Sequence, residues 1–229
     1  MGLILSIFPG IDLLGRAFEE EGYCIVRGPD VLWGGDIRAF HPPENVFEGV
    51  IGGPPCQAFS ILRYLNPNFV SRHGNLIPEF ERVVAEAKPS WFLMENVPQA
   101  PEPNIDGYKL HTIMLNNRWL GEVQDRKRKF CFGKPDGARL EIDVAIFESL
   151  QKETTILASS GGKLRPSQNR GIPVGKACLL QGLPEDFGDN LPFTKAGKLL
   201  VIGNGVPLPM GRAMAKAIKR CCQEVMELR

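Results

Sequence analysis

Short apolar runs stopped by glycine or proline constrain this chain more than any other feature. Leu3–Phe8 ends at Pro9-Gly10, Tyr23–Val26 at Gly28-Pro29-Asp30, Val50–Gly52 at Gly53-Pro54-Pro55, and Trp91–Met94 shortly before Pro98. Runs this short, bounded by turn formers, predict buried strands. Between them, Leu14, Ala17 and Phe18 recur at helical spacing before Gly22, and Phe80, Val83, Val84 and Ala87 do so before Pro89. Further on, Leu110, Ile113 and Met114 predict another helix. Trp119–Val123, Lys129–Phe132 and a late Leu199–Ile202 predict strands, and Met210, Met214, Ala217, Ile218, Cys221 and Val225 form the apolar face of a final helix. Strands alternating with helices imply an α/β fold, a doubly wound and mostly parallel sheet covered on both faces, with ligands at the carboxyl ends of its strands. From Gly133 to about Thr194 the pattern loosens into Gly, Ser, Lys and Pro, a small and mostly irregular second region.

Composition narrows the function classes. The chain has 229 residues, 43% hydrophobic and 23% charged, enough for an ordinary globular core. No apolar run approaches the roughly 20 residues of a membrane span, and Gly10 and Asp12 interrupt the first run too early for a signal peptide. A cytoplasmic protein without membrane contact is expected. The six cysteines include no Cys-x-x-Cys pair, and His41, His73 and His111 lie far apart, so reduced thiols and no metal site are expected. A net charge of +1 is uninformative about nucleic acid, but cations cluster locally at Arg126-Lys127-Arg128-Lys129 and again at Lys163, Arg165, Arg170 and Lys176.

The strongest chemical signal is Gly52-Gly53-Pro54-Pro55-Cys56-Gln57-Ala58-Phe59-Ser60. It puts a thiol just past the end of a buried strand, on a backbone stiffened by two prolines. An isolated cysteine is usually an inert buried residue. Here Glu95-Asn96-Val97-Pro98 brings a carboxylate after another strand, and Gln124-Asp125-Arg126-Lys127-Arg128 brings guanidinium groups. Thiol, carboxylate and guanidinium converging on one sheet edge, beside a glycine turn, form a site rather than three unrelated solvated residues.

With those motifs in that order, the chain resembles the cytosine-5 DNA methyltransferase family over almost its whole length, in a short form. Pro55-Cys56-Gln57 is similar to the family's nucleophile motif, Glu95-Asn96-Val97 to its glutamate motif and Gln124-x-Arg126-x-Arg128 to its arginine motif. Phe8-Pro9-Gly10-Ile11 resembles the first cofactor loop, Gly35-Asp36-Ile37 the adenine-contacting segment, Gly74-Asn75-Leu76 a helix start that adds Leu76 to the pocket, and Gly203-Asn204-Gly205-Val206 the late motif that completes it.

The resemblance implies a Rossmann-like methyltransferase fold, S-adenosyl-L-methionine as methyl donor (S-adenosylhomocysteine as product), DNA as partner, and catalysis by Cys56, Glu95, Arg126 and Arg128. Cofactor contacts would come from Phe8, Pro9, Gly10, Ile11, Asp30, Asp36, Ile37, Pro55, Leu76, Asn204, Gly205 and Val206. It further implies base flipping, with Gln57, Ser60, Arg63 and Arg72 on a closing loop and Lys163 and Arg165 as further nucleic-acid contacts. Residues 1–133 would be the catalytic and cofactor-binding domain, completed by 198–229, and 134–197 a small target-recognition region.

The sequence also departs from the family. Asp12 and Leu13 stand where the family usually shows glycines, and Pro29 precedes Asp30 near the position of the usual ribose-binding acid. Only about 35 residues lie between Gly133 and the segment from Arg170 to Phe187 that resembles the recognition scaffold, so specificity is expected to be relaxed, very short, or supplied by a partner protein or second subunit. The alternatives are a transfer-RNA cytosine-5 methyltransferase, which shares this site chemistry, and an inactive nucleic-acid-binding relative, against which the complete Cys56, Glu95 and Arg126 set argues. A nucleotide-dependent oxidoreductase lacks its Gly-x-Gly-x-x-Gly turn after the first strand.

Overall fold

The structure is a computed structural model that describes residues 2–56, 59, 74–145, 153, 155–156 and 172–227, with side chains through 223. Its centre is a six-stranded sheet of β1 (Leu3–Ile7), β2 (Cys24–Arg27), β3 (Gly49–Gly52), β4 (Trp91–Asn96), β5 (Lys109–Asn116) and β6 (Lys127–Lys134), in the order β2-β1-β3-β4-β6-β5. The first four strands pair in parallel, while β6 runs antiparallel to both of its neighbours. Among the described residues the α-helices are α1 (Leu13–Glu20), α2 (Ile77–Ala87), α3 (Val174–Leu180), α4 (Lys195–Asn204) and α5 (Leu208–Glu227). Among the described residues no helix is long and apolar enough to cross a membrane.

Both sheet faces are covered, and strand pleating decides which residue goes where. Ile4, Ile51, Leu93, Phe130 and Phe132 face the core built with Leu14 and Phe18 of α1 and Met210, Met214 and Ile218 of α5. Their neighbours Leu5, Val50, Phe92, Met94 and Cys131 face the opposite core, with Phe80, Val83 and Val84 of α2. A third cluster joins Leu13 and Ala17 of α1 to Ala177, Cys178, Leu199, Ile202 and Leu208, which docks α3 and α4 beside the sheet. Trp91 presses so closely on β3 that a Cβ at Gly49 would fall 2.3 Å from its ring.

Three expected elements are different. Leu110, Ile113 and Met114 lie on strand β5. Their spacing fits a helix, but β-branched Thr112 and Ile113 suit a strand, and β6 offers pairing along all eight positions of β5. Residues 119–123 form no strand; a 3₁₀ turn, Asn117–Trp119, capped by the Asn116 side chain, takes the chain from β5 into β6. Leu199–Ile202 belongs to helix α4, started by Thr194, whose hydroxyl accepts from the Gly197 amide at 3.3 Å. A short continuous apolar run does not distinguish strand from helix. Here an apolar surface of α1 and α3, rather than a sheet edge, receives Leu199, Val201 and Ile202.

Candidate active site

Strand register assembles the site. Gly52, the last residue of β3, pairs with Met94, so Cys56 just past β3 and Glu95 near the carboxyl end of β4 come to the same sheet edge. Because β6 is antiparallel, its amino-terminal end comes to that edge too and delivers Arg126 and Arg128. Arg128 Nε lies 2.8 Å from Glu95 Oε1, both side chains nearly buried. The other carboxylate oxygen lies against the glycine turn, where a Cβ at Gly53 would stand 3.0 Å from Glu95 Oε2. Asn96, on the opposite face of the strand, donates from Nδ2 to the Pro54 carbonyl at 3.1 Å and accepts from the Val97 amide at 2.8 Å, which ties the Pro54-Pro55-Cys56 turn to β4.

Burial raises the Glu95 pKa above the usual carboxylate range, with Arg128 and then Arg126 pulling it back. Burial likewise raises the Cys56 thiol, the Glu95 charge adds to that, and Arg128 and Arg126 oppose it. Burial thus works against both ionised forms, and the Arg128 and Arg126 guanidinium groups work for them.

The two arginines do different things. Arg128 faces the carboxylate, and its Nη1 also donates to the Lys127 carbonyl at 2.7 Å. Arg126 is only 3% exposed and donates to main-chain carbonyls: Nη1 to Ile156 at 2.7 Å, Nη2 to Gly203 at 2.8 Å and to Gly205 at 3.3 Å. Burial and the neighbouring Arg128 pull its pKa down, against Glu95 and Cys56, while the carbonyls favour the charged form. Arg126 thereby ties the carboxyl end of α4 to the sheet edge.

Of the residues expected to contact a cofactor, Phe8 to Ile11 follow β1, and Asp30, Asp36 and Ile37 follow β2. Phe8, Gly10 and Asp12 all have left-handed backbones, with φ of 54°, 56° and 55°. For Phe8 that conformation costs roughly 1–2 kcal/mol, whereas aspartate tolerates it better. Asp30 accepts from the Gly10 amide at 2.9 Å and the Leu32 amide at 2.7 Å, so its carboxylate also braces the loop. Trp33 Nε1 donates to the Gly10 carbonyl at 2.8 Å. Asp36 caps the short turn Ile37–Ala39 and lies near Arg38. Ile37 and Leu76 are buried in one cluster, with Phe8 packed against it. A Cβ at Gly10 or Gly34 would meet nothing within 4 Å, so backbone there is open to a ligand. An apolar wall, open glycine backbone and two carboxylates suit an adenosine carrying a charged amino-acid tail.

Pro55 is partly exposed, Asn204 exposed and Val206 buried. Gly205 is packed so tightly that a Cβ would lie 2.6 Å from Leu13 Cδ1. Ile11 lines a surface cavity with Asp12, Arg16 and Arg27 at the edge of the loop after β1. Gln57, Ser60, Arg63, Arg72, Lys163 and Arg165 lie outside the described residues.

The family model of the C-5 cytosine-specific DNA methylases matches residues 33–160, more than half of the chain. The chain belongs to this family. The matched span contains Cys56, Glu95, Arg126 and Arg128. Among curated relatives, Type II methyltransferase M.HgiDI of Herpetosiphon aurantiacus is 31% identical over 181 residues, 66% of this chain and 58% of the relative. Type II methyltransferase M.NgoPII of Neisseria gonorrhoeae is 29% identical over 162 residues, 57% of this chain and 47% of the relative. The chain thus spans about half the length of the curated relatives it matches. The fold is that of solved methyltransferases. EhMeth of Entamoeba histolytica superposes with a TM-score of 0.69 at 11% identity, covering 96% of this chain and 98% of that one. Dnmt2 of S. pombe gives 0.66 at 12% identity, covering 96% and 99%.

Sequence reasoning missed several polar residues that hold the site. Gln124 and Gln181 are both fully buried. Gln124 Nε2 donates to the Leu180 carbonyl and its Oε1 accepts from the Ile156 amide at 3.3 Å. Gln181 Nε2 donates to the Ile202 carbonyl at 2.6 Å and to that of Gly205 at 3.3 Å. The available signal was a lone glutamine in the apolar run Leu179-Leu180-Gln181-Gly182, since a buried amide must find partners. Gln124 and Asn96 stand within the arginine and glutamate motifs, but the motifs alone do not reveal the buried bonds of Gln124 or the link from Asn96 to the Cys56 turn.

Proposed function

We propose that this chain transfers a methyl group from S-adenosyl-L-methionine to carbon 5 of cytosine in DNA, through a transient covalent bond between Cys56 and the base. The observation that carries this reading is the convergence of Cys56, Glu95 and Arg128 at one sheet edge, with Arg128 Nε 2.8 Å from Glu95 Oε1.

Carbon 5 of cytosine is a poor nucleophile. The Cys56 thiolate bonds to carbon 6, and the electron pair of the 5,6 double bond shifts toward carbon 5 and the ring nitrogens. Glu95, whose pKa burial raises, takes up a proton as the base enters, holds it at ring nitrogen 3 and stabilises that charge. Arg128 fixes the orientation of Glu95 and favours the thiolate. S-adenosylmethionine, held by the cofactor residues, would supply an electrophilic methyl group to carbon 5 and leave as S-adenosylhomocysteine. A base then takes the carbon 5 proton, the double bond re-forms, and the Cys56–carbon 6 bond breaks.

The cofactor residues are Phe8, Pro9, Gly10 and Ile11 of the first loop, Asp30 and Asp36 with Ile37, Pro55, Leu76, and Asn204 to Val206. A cytosine within a duplex has to leave the stack to reach Cys56, at a cost of a few kcal/mol. Gln57, Ser60, Arg63, Arg72, Lys163 and Arg165 are the proposed nucleic-acid contacts. Residues 1–133 with 198–229 form the catalytic unit and 134–197 the recognition region. Because that region is short, target choice is relaxed, limited to a very short site, or completed by a partner protein or second subunit.

The test is incubation with tritiated S-adenosylmethionine and mixed-sequence duplex DNA, beside a Cys56→Ser variant and an RNA control. Label in DNA that vanishes with Cys56→Ser is expected. Label confined to RNA would transfer the same chemistry to the other nucleic acid, and label retained by the serine variant would refute covalent catalysis by Cys56.

A further inference from the structure

The turn from β1 into α1 is held from two sides, and one of the clamps comes from an unexpected residue. On one side Asp30 and Trp33 take the amide and carbonyl of Gly10. On the other, Asp12 occupies a position where the resembled family carries glycine. Its backbone takes the left-handed conformation a glycine would supply, with φ 55° and ψ 47°. Unlike glycine, it also brings a carboxylate, which is 4% exposed. Oδ1 accepts from the Ser6 hydroxyl at 2.8 Å and from the Gly15 amide at 3.0 Å, and Oδ2 forms an ion pair with Arg27 Nε at 2.8 Å. The Asp12 amide closes the turn by donating to the Pro9 carbonyl at 2.6 Å. Arg27 is steadied in turn by Glu19 of α1 at 2.7 Å. One side chain thus links β1, the end of β2, the turn and the first residues of α1.

We propose that Asp12, held by Ser6 and Arg27, is a positioning residue for the cofactor: it fixes Phe8–Asp12 in its binding shape before S-adenosylmethionine arrives. This rests on the cofactor reading given above. A turn with alternate left-handed residues has many competing conformations when untethered, and affinity falls by the fraction of molecules in the competent one. A glycine at position 12 permits the shape without enforcing it. The carboxylate enforces it through Ser6, Gly15 and Arg27.

The experiment measures S-adenosylhomocysteine binding by calorimetry, and amide exchange of residues 8–12 in the free protein, for wild type, Asp12→Gly, Asp12→Asn and Arg27→Gln. With Asp12→Gly, binding is expected to weaken by about tenfold and exchange in the turn to quicken, as the competent fraction drops. Asp12→Asn keeps an acceptor for Ser6 and Gly15 and tolerates the left-handed backbone, so it recovers most of the affinity. Arg27→Gln, at a half-exposed position, gives a loss of roughly threefold and carries the comparison if Asp12→Gly does not fold. Equal affinities in wild type and in Asp12→Gly (or, if that variant is unfolded, Arg27→Gln) overturn this inference alone. A wild-type protein that does not bind S-adenosylhomocysteine overturns the cofactor reading and this inference with it.

Discussion

Replacing Arg126 by methionine separates a structural arginine from a substrate-contacting one. Arg126 donates to the carbonyls of Ile156, Gly203 and Gly205, at 2.7, 2.8 and 3.3 Å. Two of these bonds are short and charge-assisted, each contributing about 1.5–3 kcal/mol. The guanidinium also stands at the carboxyl end of α4, where a cation adds about 0.3–1 kcal/mol. Methionine fills similar space and removes a buried charge, which returns roughly 1–4 kcal/mol of desolvation. The expected net loss is about 2–4 kcal/mol. Urea unfolding followed by circular dichroism should therefore show a lower midpoint with an unchanged slope, since the same surface is exposed. Arg126→Lys should recover less than half, because one ammonium does not span three separated carbonyls. A loss under about 0.5 kcal/mol for Arg126→Met would refute the assignment and return Arg126 to the role of a substrate contact.

The environment of the thiol makes further predictions. Because burial and Glu95 raise the Cys56 pKa, its alkylation should be slower than that of a free thiol at about pH 8 and should climb through an inflexion above the ordinary thiol range. Glu95→Gln should quicken it and Arg128→Gln slow it; the reverse order would refute the electrostatic account. The linkage sign follows. A thiol whose folded pKa is raised binds more protons folded than unfolded, so its contribution to stability falls as pH rises from the ordinary thiol range through the folded value. Thermal unfolding of wild type should show this slope, and Cys56→Ser should lose it. Gly53→Ala should displace the Glu95 carboxylate, 3.0 Å from the added carbon, and reduce methyl transfer by about tenfold or more with under about 1 kcal/mol of stability lost; unchanged transfer would show that Glu95 has room to move.

Several features were legible because they depend on neighbours in sequence. Leu3–Ile7, Gly49–Gly52 and Trp91–Asn96 carry apolar residues bounded by turn formers, so the strands, with Cys56 just past one and Glu95 near the carboxyl end of another, follow from local preferences. The fold class follows from alternation of such runs with helical spacing. Lys109–Asn116 and Lys195–Asn204 were misread because their local patterns fit both helix and strand, and the choice was made by β6 for one and by α1 and α3 for the other.

The sequence by itself determined which residue types could form the site and, for the thiol and carboxylate, which strand ends carry them. Tertiary structure decided how the arginines reach them. Residues that precede a parallel strand lie at the opposite edge from Cys56, and only the antiparallel direction of β6 brings Arg126 and Arg128 to the edge that carries Cys56 and Glu95. The same apolar alternation can satisfy a hydrogen-bonded ladder in either direction. Strand direction is therefore settled by the connection through β5 and by packing on both faces. The same non-local packing pointed Arg128 at Glu95 and buried Arg126 among carbonyls from distant parts of the chain.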